Sequence, residues 1–255
     1  MSATPAPVGG SVVVITGASA GIGAALAQLL AGRGDSVALV ARREAALRDV
    51  VARCGARAFA VVADVSRRAE VRRVVETALA HFGRIDVWVN NVGQGIFRPP
   101  SQLTDEDVDE MVRLNVKTTL YGMQEVLPHF KARNAGQIVN VSSMLGRIPY
   151  VVNRSAYNGA KHFLNALTAN LRAEVQQTHP GIQVTLVSPG VVRTEFGVNA
   201  LHGGPDSRQM PDSQSAEEVA AVIAGVIGSR QPDVYTRPGS RERVAGYFGS
   251  LGADP

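Results

Sequence analysis

A single cysteine, Cys54, in 255 residues excludes an internal disulfide and leaves no thiolate cluster for zinc. On a helical pattern such a lone thiol reads as buried or idle. No uninterrupted apolar run approaches the roughly 18 residues that a membrane-spanning helix needs. Residues 1–10 lack a basic start followed by an apolar stretch, so no secretory leader is expected. That segment is rich in Ala, Pro and Gly and reads as a disordered tail. Charge is not massed either. The formal net charge is +4, but the arginines are spread over many helical patterns, which argues against a nucleic-acid surface. A basic cleft for a phosphorylated ligand remains compatible. No His/Asp/Glu set has ligand spacing, so no catalytic metal is expected. There is no internal repeat and no break in composition between two domains. The expectation is a soluble, cytoplasmic protein with one domain over residues 11–255, and 45% hydrophobic residues are ample for its core.

What is present is an alternation. Short apolar runs at 12–16, 37–41, 58–62, 87–90, 138–142, 184–188 and 234–236 are separated by helical patterns at 21–32, 43–54, 67–82, 104–133, 154–178 and 215–228. Such alternation implies an α/β fold in which a parallel sheet is covered on both faces. Near-continuous runs such as Val12-Val13-Val14-Ile15 suit strands buried on both sides. Ser66, Thr104 and the Ser215/Glu218 pair stand where helix caps belong. Residues 195–214 have no periodicity, three glycines and two prolines; a loop of that length is either a substrate lid or a disordered insertion.

The first run leads directly into Thr16-Gly17-Ala18-Ser19-Ala20-Gly21-Ile22-Gly23, which opens a helix. Glycines there let the chain turn sharply and let a ligand approach the backbone. The helix amino terminus offers N–H groups and positive dipole to a pyrophosphate, and Ser19 adds a hydroxyl. The second run ends Ala41-Arg42-Arg43. A carboxylate at this point would accept from a ribose 2′-hydroxyl, whereas guanidinium forks suit a 2′-phosphate. NADP(H) is therefore favoured over NAD(H), although each arginine also reads as the start of an exposed helix. Asp64-Val65 closes the third run, where the carboxylate either accepts from an adenine amino group or caps a turn. Asn90-Asn91-Val92-Gly93 closes the fourth, beside the expected ligand crevice, with Asn90 equally suited to tying neighbouring backbone together.

Tyr157 and Lys161 stand four residues apart on a helical pattern and so share one face. A free tyrosine ionises near pH ~10, and an adjacent cation lowers that value, which makes Tyr157 a candidate proton donor or acceptor.

Taken together these motifs resemble the short-chain dehydrogenase/reductase family. The resemblance rests on Thr-Gly-x-x-x-Gly-x-Gly at 16–23, Asn-Asn-x-Gly at 90–93, Asn115, Ser143, Tyr157-x-x-x-Lys161 and Pro189-Gly190, in the family's order. Val92 departs from the family's usual alanine, and the interval from Ser143 to Tyr157 is one residue longer than common. The resemblance implies a Rossmann-like, doubly wound seven-stranded parallel sheet flanked by helices, and carbonyl–alcohol interconversion with NADP(H). It implies that Tyr157 is the general acid or base, that Lys161 lowers its pKa and binds the nicotinamide ribose, and that Ser143 donates to the substrate oxygen. Ser142 is the competing serine. Asn115 would hold a water linking Lys161 to solvent, or satisfy a local helix distortion. Thr194 and Val192 would meet the nicotinamide carboxamide. Gln94, Arg147, Tyr150 and Phe196 flank this set as pocket residues, Arg147 reading more readily as a surface charge. A homodimer or homotetramer through the helices near 104–133 and 154–178, acting on a small molecule, is implied as well. A non-catalytic scaffold or redox sensor of the same fold is the alternative, against which the intact Asn115, Ser143, Tyr157 and Lys161 argue.

Overall fold

Seven runs of Val, Ile, Leu and Ala form one parallel sheet in the computed structural model, which describes residues 10–251. The expected tail at 1–10, Gly10 apart, lies outside the described residues. The strands are β1 (Val12–Thr16), β2 (Ser36–Ala41), β3 (Ala58–Val62), β4 (Val87–Asn90), β5 (Gly136–Val141), β6 (Ile182–Ser188) and β7 (Asp233–Tyr235). Their spatial order is β3-β2-β1-β4-β5-β6-β7, all pairs parallel. The order reverses between β1 and β4. In an open parallel sheet, that reversal leaves a crevice beyond the strands' carboxyl ends.

Alternation along each strand divides the core in two. Val13, Ile15, Val37 and Leu39 point to the face covered by α1 (Gly21–Gly32), α2 (Glu44–Cys54) and α7 (Ala216–Val226), where Leu26, Leu30, Leu47 and Ile223 receive them. Val12, Val14, Val40 and Trp88 point to the other face, covered by α3 (Arg68–Phe82), α5 (Thr118–Arg133) and α6 (Ser155–Thr178), and meet Val71, Val74, Val126 and Phe130. On this second face a buried polar chain ties strands to helices. Trp88 Nε1 donates to Asn90 Oδ1 at 2.7 Å, Asn90 Nδ2 to Asn140 Oδ1 at 2.9 Å, and Asn140 Nδ2 to Thr168 Oγ1 at 2.9 Å. Asn90 is therefore a structural residue. Gly122 of α5 makes room for it, since a Cβ there would stand 2.1 Å from Asn90 Oδ1.

Two local expectations are corrected and one helix is added. The helical pattern at 104–133 is not one helix: α4 (Asp105–Val112) passes through a π-helical turn at Arg113–Lys117 before α5 begins. Ser66 does not cap α3. Its hydroxyl accepts from Arg113 Nη1 instead, while its N–H donates to Asp64 Oδ1 at 3.0 Å. A further helix, α8 (Ser240–Gly249), follows β7 and was not expected; Ser240 is its only buried residue, and the apolar Val244, Tyr247 and Phe248 at helical spacing were the signal for it. Thr104 and Ser215 do form capping boxes, with Asp107 and Glu218 respectively.

Segment 195–214 is laid over the crevice by definite contacts. Leu201 N donates to Gly95 O and Phe97 N to Leu201 O, each at 2.9 Å, and Gln214 N donates to Val191 O at 2.9 Å.

Candidate active site

Two cavities meet at the carboxyl ends of β1, β4, β5 and β6. The larger, about 980 Å³, runs from the Gly17–Gly21 turn past Arg42, Arg43, Asp64 and Val65. The smaller, about 270 Å³, is walled by Ser143, Tyr150, Tyr157, Pro189, Gly190 and Val192, among others. Ile22, Asn91, Gly93, Thr194 and Phe196 line both, so the two form one bent channel.

The glycine turn is built for close approach. Gly17 has φ +68° and Gly21 φ +53°, conformations that L side chains rarely adopt. A Cβ on Gly23 would stand 2.4 Å from Gly17 O, so the third glycine lets α1 pack against its own entry turn. Ala20 occupies the N-cap of α1 in extended conformation and provides no side-chain cap, which leaves the helix's first N–H groups to an anion. Asn91 Nδ2 donates to Thr16 O at 3.2 Å and to Gly17 O at 3.3 Å, stitching the end of β4 to this turn. Arg43 Nη2 donates to Ser19 Oγ at 3.2 Å, and both arginines are exposed on the cleft wall. Asp64 loses some ionisation to burial, but its hydrogen bonds to Ser66 and the nearby Arg42 and Arg113 outweigh this and hold its carboxyl below the usual range. The cleft therefore fits a dinucleotide: backbone donors at a glycine cradle, followed by cations one strand away.

At the bend, Tyr157 and Lys161 lie one turn apart on α6, 6% and 2% exposed. Lys161 Nζ donates to Val141 O at 3.1 Å and stands 5.7 Å from the centre of the Tyr157 ring. The Tyr157 phenol is pushed up to about 12 by burial, against which its hydrogen bond with Ser143 and the charge of Arg154 work. The direction is opposite to the lowering expected from a neighbouring cation, because desolvation is the largest effect. Lys161 is itself pulled down to about 8 by burial. Ser143 is placed at the phenol, whereas the Ser142 hydroxyl is occupied by Asn165 Oδ1.

Asn115 sits in the π-helical turn and is fully buried. A Cβ on Gly93 would stand 2.9 Å from Asn115 Oδ1 and 3.4 Å from Lys161 Nζ, so the amide, the glycine and the ammonium are close neighbours. Thr194 Oγ1 accepts from Phe196 N at 3.3 Å, and Phe196 meets Tyr157 edge-on with centroids 5.5 Å apart. Tyr150 lines the smaller cavity, while Gln94 lies in the larger one, where its Nε2 donates to Asn199 O at 3.1 Å. Arg147 is a strut, paired with Asp233 at the start of β7. Arg154 escaped the sequence reading. It lines the smaller cavity beside Tyr157 and is 8% exposed; an arginine before a helix start gives no sign of burial until Phe97 and Phe196 fold over it.

A reversed parallel sheet with a glycine cradle at its switch point defines a Rossmann-like dinucleotide-binding protein. Residues 11–203 match the family model described as short chain dehydrogenase, and the chain belongs to that family of oxidoreductases. It is 34% identical over 224 residues to a hydroxynaphthalene reductase-like protein Arp2 of Metarhizium guizhouense, covering 86% of this chain and 82% of the relative. It is similar to the crystal structure of a short-chain dehydrogenase/reductase from Burkholderia phymatum in complex with NAD, with TM-score 0.86, 25% identity, and coverage of 96% and 97% of the two chains. A metagenomic short-chain oxidoreductase in complex with NADP gives TM-score 0.75 and 31% identity, with 91% and 98% covered. No helix among the described residues is long and apolar enough to cross a membrane.

Proposed function

We propose that this protein is an NADP(H)-dependent oxidoreductase that interconverts a carbonyl and an alcohol on a small molecule, with Tyr157 as its general acid and base. The observation that carries the reading is the buried Tyr157–Ser143 pair at the bend of the channel, where the dinucleotide cleft opens into a small cavity. The two solved relatives described above divide between NAD and NADP, so the phosphate preference rests on this chain's own Arg42 and Arg43. Gly17, Ser19, Ala20, Gly21, Ile22 and Gly23 would cradle the pyrophosphate, Asp64 and Val65 would border the adenine, and Pro189, Gly190, Val192 and Thr194 would border the nicotinamide. When bound, the nucleotide supplies or accepts the hydride.

The chain's own residues handle the proton and the charge. With its phenol near 12, Tyr157 is neutral at pH 7 and able to donate, which suits carbonyl reduction. Ser143 donates to the same substrate oxygen and stabilises charge developing there. Lys161, brought near 8, stands within a turn of the phenol, and while protonated its charge stabilises the phenolate left when Tyr157 gives up its proton. Phe196 and the 195–214 segment cover the cavity as a lid and keep water from it. The reading includes association as a homodimer or homotetramer through the outer faces of α5 and α6, where Phe163 is 55% exposed.

Fluorescence titration with NADPH and NADH tests the cofactor assignment. Tighter NADPH binding that weakens roughly 10-fold or more in Arg42→Ala is expected, the range for losing hydrogen bonds to a charged group. Equal binding of both nucleotides overturns the phosphate preference. Turnover in a carbonyl screen that is abolished by Tyr157→Phe, with NADPH binding retained, is the expected mark of the proton role.

A further inference from the structure

Arg154 carries a buried charge without an acid of its own. Its Nη1 donates to Ile96 O at 3.3 Å, and its Cζ lies 5.7 Å from the Phe97 ring centre and 5.9 Å from that of Phe196. The pocket closes tightly round the guanidinium: a Cβ on Gly95 would stand 2.6 Å from Nη1, and one on Gly204 would stand 3.4 Å from Nη2. Among the described residues no carboxylate pairs with it. Asp107 enters the same region through Arg98, whose backbone bridges to Arg154, but its oxygens are taken by Arg98 and His202.

A guanidinium has five donors and stays protonated at any accessible pH, and buried ions are ordinarily paired. The residues around the smaller cavity include Arg154 and Lys161 but neither Asp nor Glu. Phe196 touches both ends of the arrangement, with Tyr157 at 5.5 Å and the Arg154 guanidinium at 5.9 Å from its ring centre. The proton donor and the unpaired cation therefore flank one aromatic ring and lie within reach of one small molecule. Met144, Leu145 and Val151 make the intervening wall apolar.

We propose that Arg154 is an anion-recognition residue of the substrate pocket, and that the substrate carries a carboxylate joined to its reacting carbonyl by a short apolar body. The fork of the guanidinium donates two parallel hydrogen bonds to a carboxylate, with the carbonyl oxygen directed to Tyr157 and Ser143. This identification of the substrate class rests on the oxidoreductase reading above; the anion site itself does not.

The test has two arms. Calorimetry on the wild-type protein compares benzoate with benzamide, probes of equal shape that differ in charge. Benzoate binding at least about tenfold tighter, as expected for a desolvated charge pair, supports the site, and equal or undetectable binding of both overturns it. In the second arm, kcat/KM with NADPH is measured for 4-acetylbenzoate and its methyl ester. The wild type is expected to prefer the acid, and Arg154→Gln to reduce the acid-to-ester ratio on the order of 30-fold, with Arg154→Lys in between. Equal losses for acid and ester, or a shifted pH profile with the ratio intact, would make Arg154 a strut or a tuner of Tyr157 and overturn the proposal. Benzoate selectivity with turnover of neither compound would sink the oxidoreductase reading and leave the anion site standing. Should Arg154→Gln fail to fold, the acid-to-ester ratio of Arg154→Lys decides with the calorimetry, an unchanged ratio overturning the proposal, since Lys161 lines the same cavity.

Discussion

Asn115 and Gln94 hold each other by a reciprocal pair: Asn115 Nδ2 donates to Gln94 O at 2.9 Å, and Gln94 N donates to Asn115 Oδ1 at 3.2 Å. The amide also donates to Met111 O at 3.1 Å. A side chain so engaged cannot swing, and it fixes the π-helical turn against the segment leaving β4. That turn has a physical cause here. Asn115 takes Met111 O, the carbonyl of the preceding turn, with its side chain, and a group inserted into the ladder of backbone bonds distorts a helix.

Gly93→Ala tests how firmly that amide is set. The added Cβ would meet Asn115 Oδ1 at 2.9 Å, and three hydrogen bonds oppose the shift it demands. Overpacking of this kind costs about 1–3 kcal/mol. Thermal melts should show a lower Tm, and kcat should fall further than stability does, because Lys161 Nζ is next in line at 3.4 Å. A variant with unchanged Tm and kcat would mean that the amide yields freely.

The alkaline pH dependence of stability follows from Lys161 and Tyr157. Lys161 is near 8 when folded against 10.5 ordinarily, so between those values the unfolded chain binds the extra proton and stability rises with pH. Below about 8 the full penalty of a buried ammonium remains; above 10.5 none does. Tyr157 has the opposite sign, because its folded value lies above its ordinary 10.0, and it lowers stability only from pH 10 toward 12. Denaturant unfolding without added nucleotide at pH 8 and pH 10, on wild type and Lys161→Met, isolates the lysine. The wild type should gain on the order of 2 kcal/mol relative to the variant across that interval. A flat difference would place the ammonium in a hydrated site.

Much of this architecture was legible because it is local. The β1 run is buried on both faces, so Val12 to Ile15 are all apolar, and the glycine turn follows at once because the backbone there needs φ > 0. Thr104 and Ser215 announce their helices by side chains that bond three residues ahead. What stayed hidden depends on partners distant in the chain. Leu114-Asn115-Val116 continues the helical period, and the pair with Gln94, twenty-one residues away, that holds the Asn115 amide in place has no signal in the local sequence. The high Tyr157 value escaped for the same reason: an adjacent lysine is visible in sequence, while the desolvation that outweighs it is a property of the closed fold. Arg154 reads as one more surface arginine until two aromatic rings cover it.

His202 joins the covering segment to α4, and its removal should loosen that segment. Its Nε2 donates to Asp107 Oδ1 at 2.6 Å from a backbone with φ +62°, a conformation uncommon for a residue with a Cβ. The bond does most to hold the Asp107 carboxyl below the ordinary carboxylate range; burial opposes it, and the Thr104 amide and Arg98 assist. His202→Gly and His202→Ala both delete the tether; the alanine keeps the left-handed Cβ that the histidine already carries, while the glycine relieves that cost of about 1 kcal/mol. Hydrogen exchange of the amides at 197–203 should quicken roughly tenfold in the alanine variant, the loss of one charge-assisted hydrogen bond, and less in the glycine variant. Substrate KM should rise in the same order while NADPH affinity holds, since neither His202 nor Asp107 lines the cavity that holds Arg42. If both variants exchange at the wild-type rate, the Leu201 pairing with Gly95 and Phe97 is sufficient to hold the segment, and the histidine's unusual backbone then has no role in closing the site.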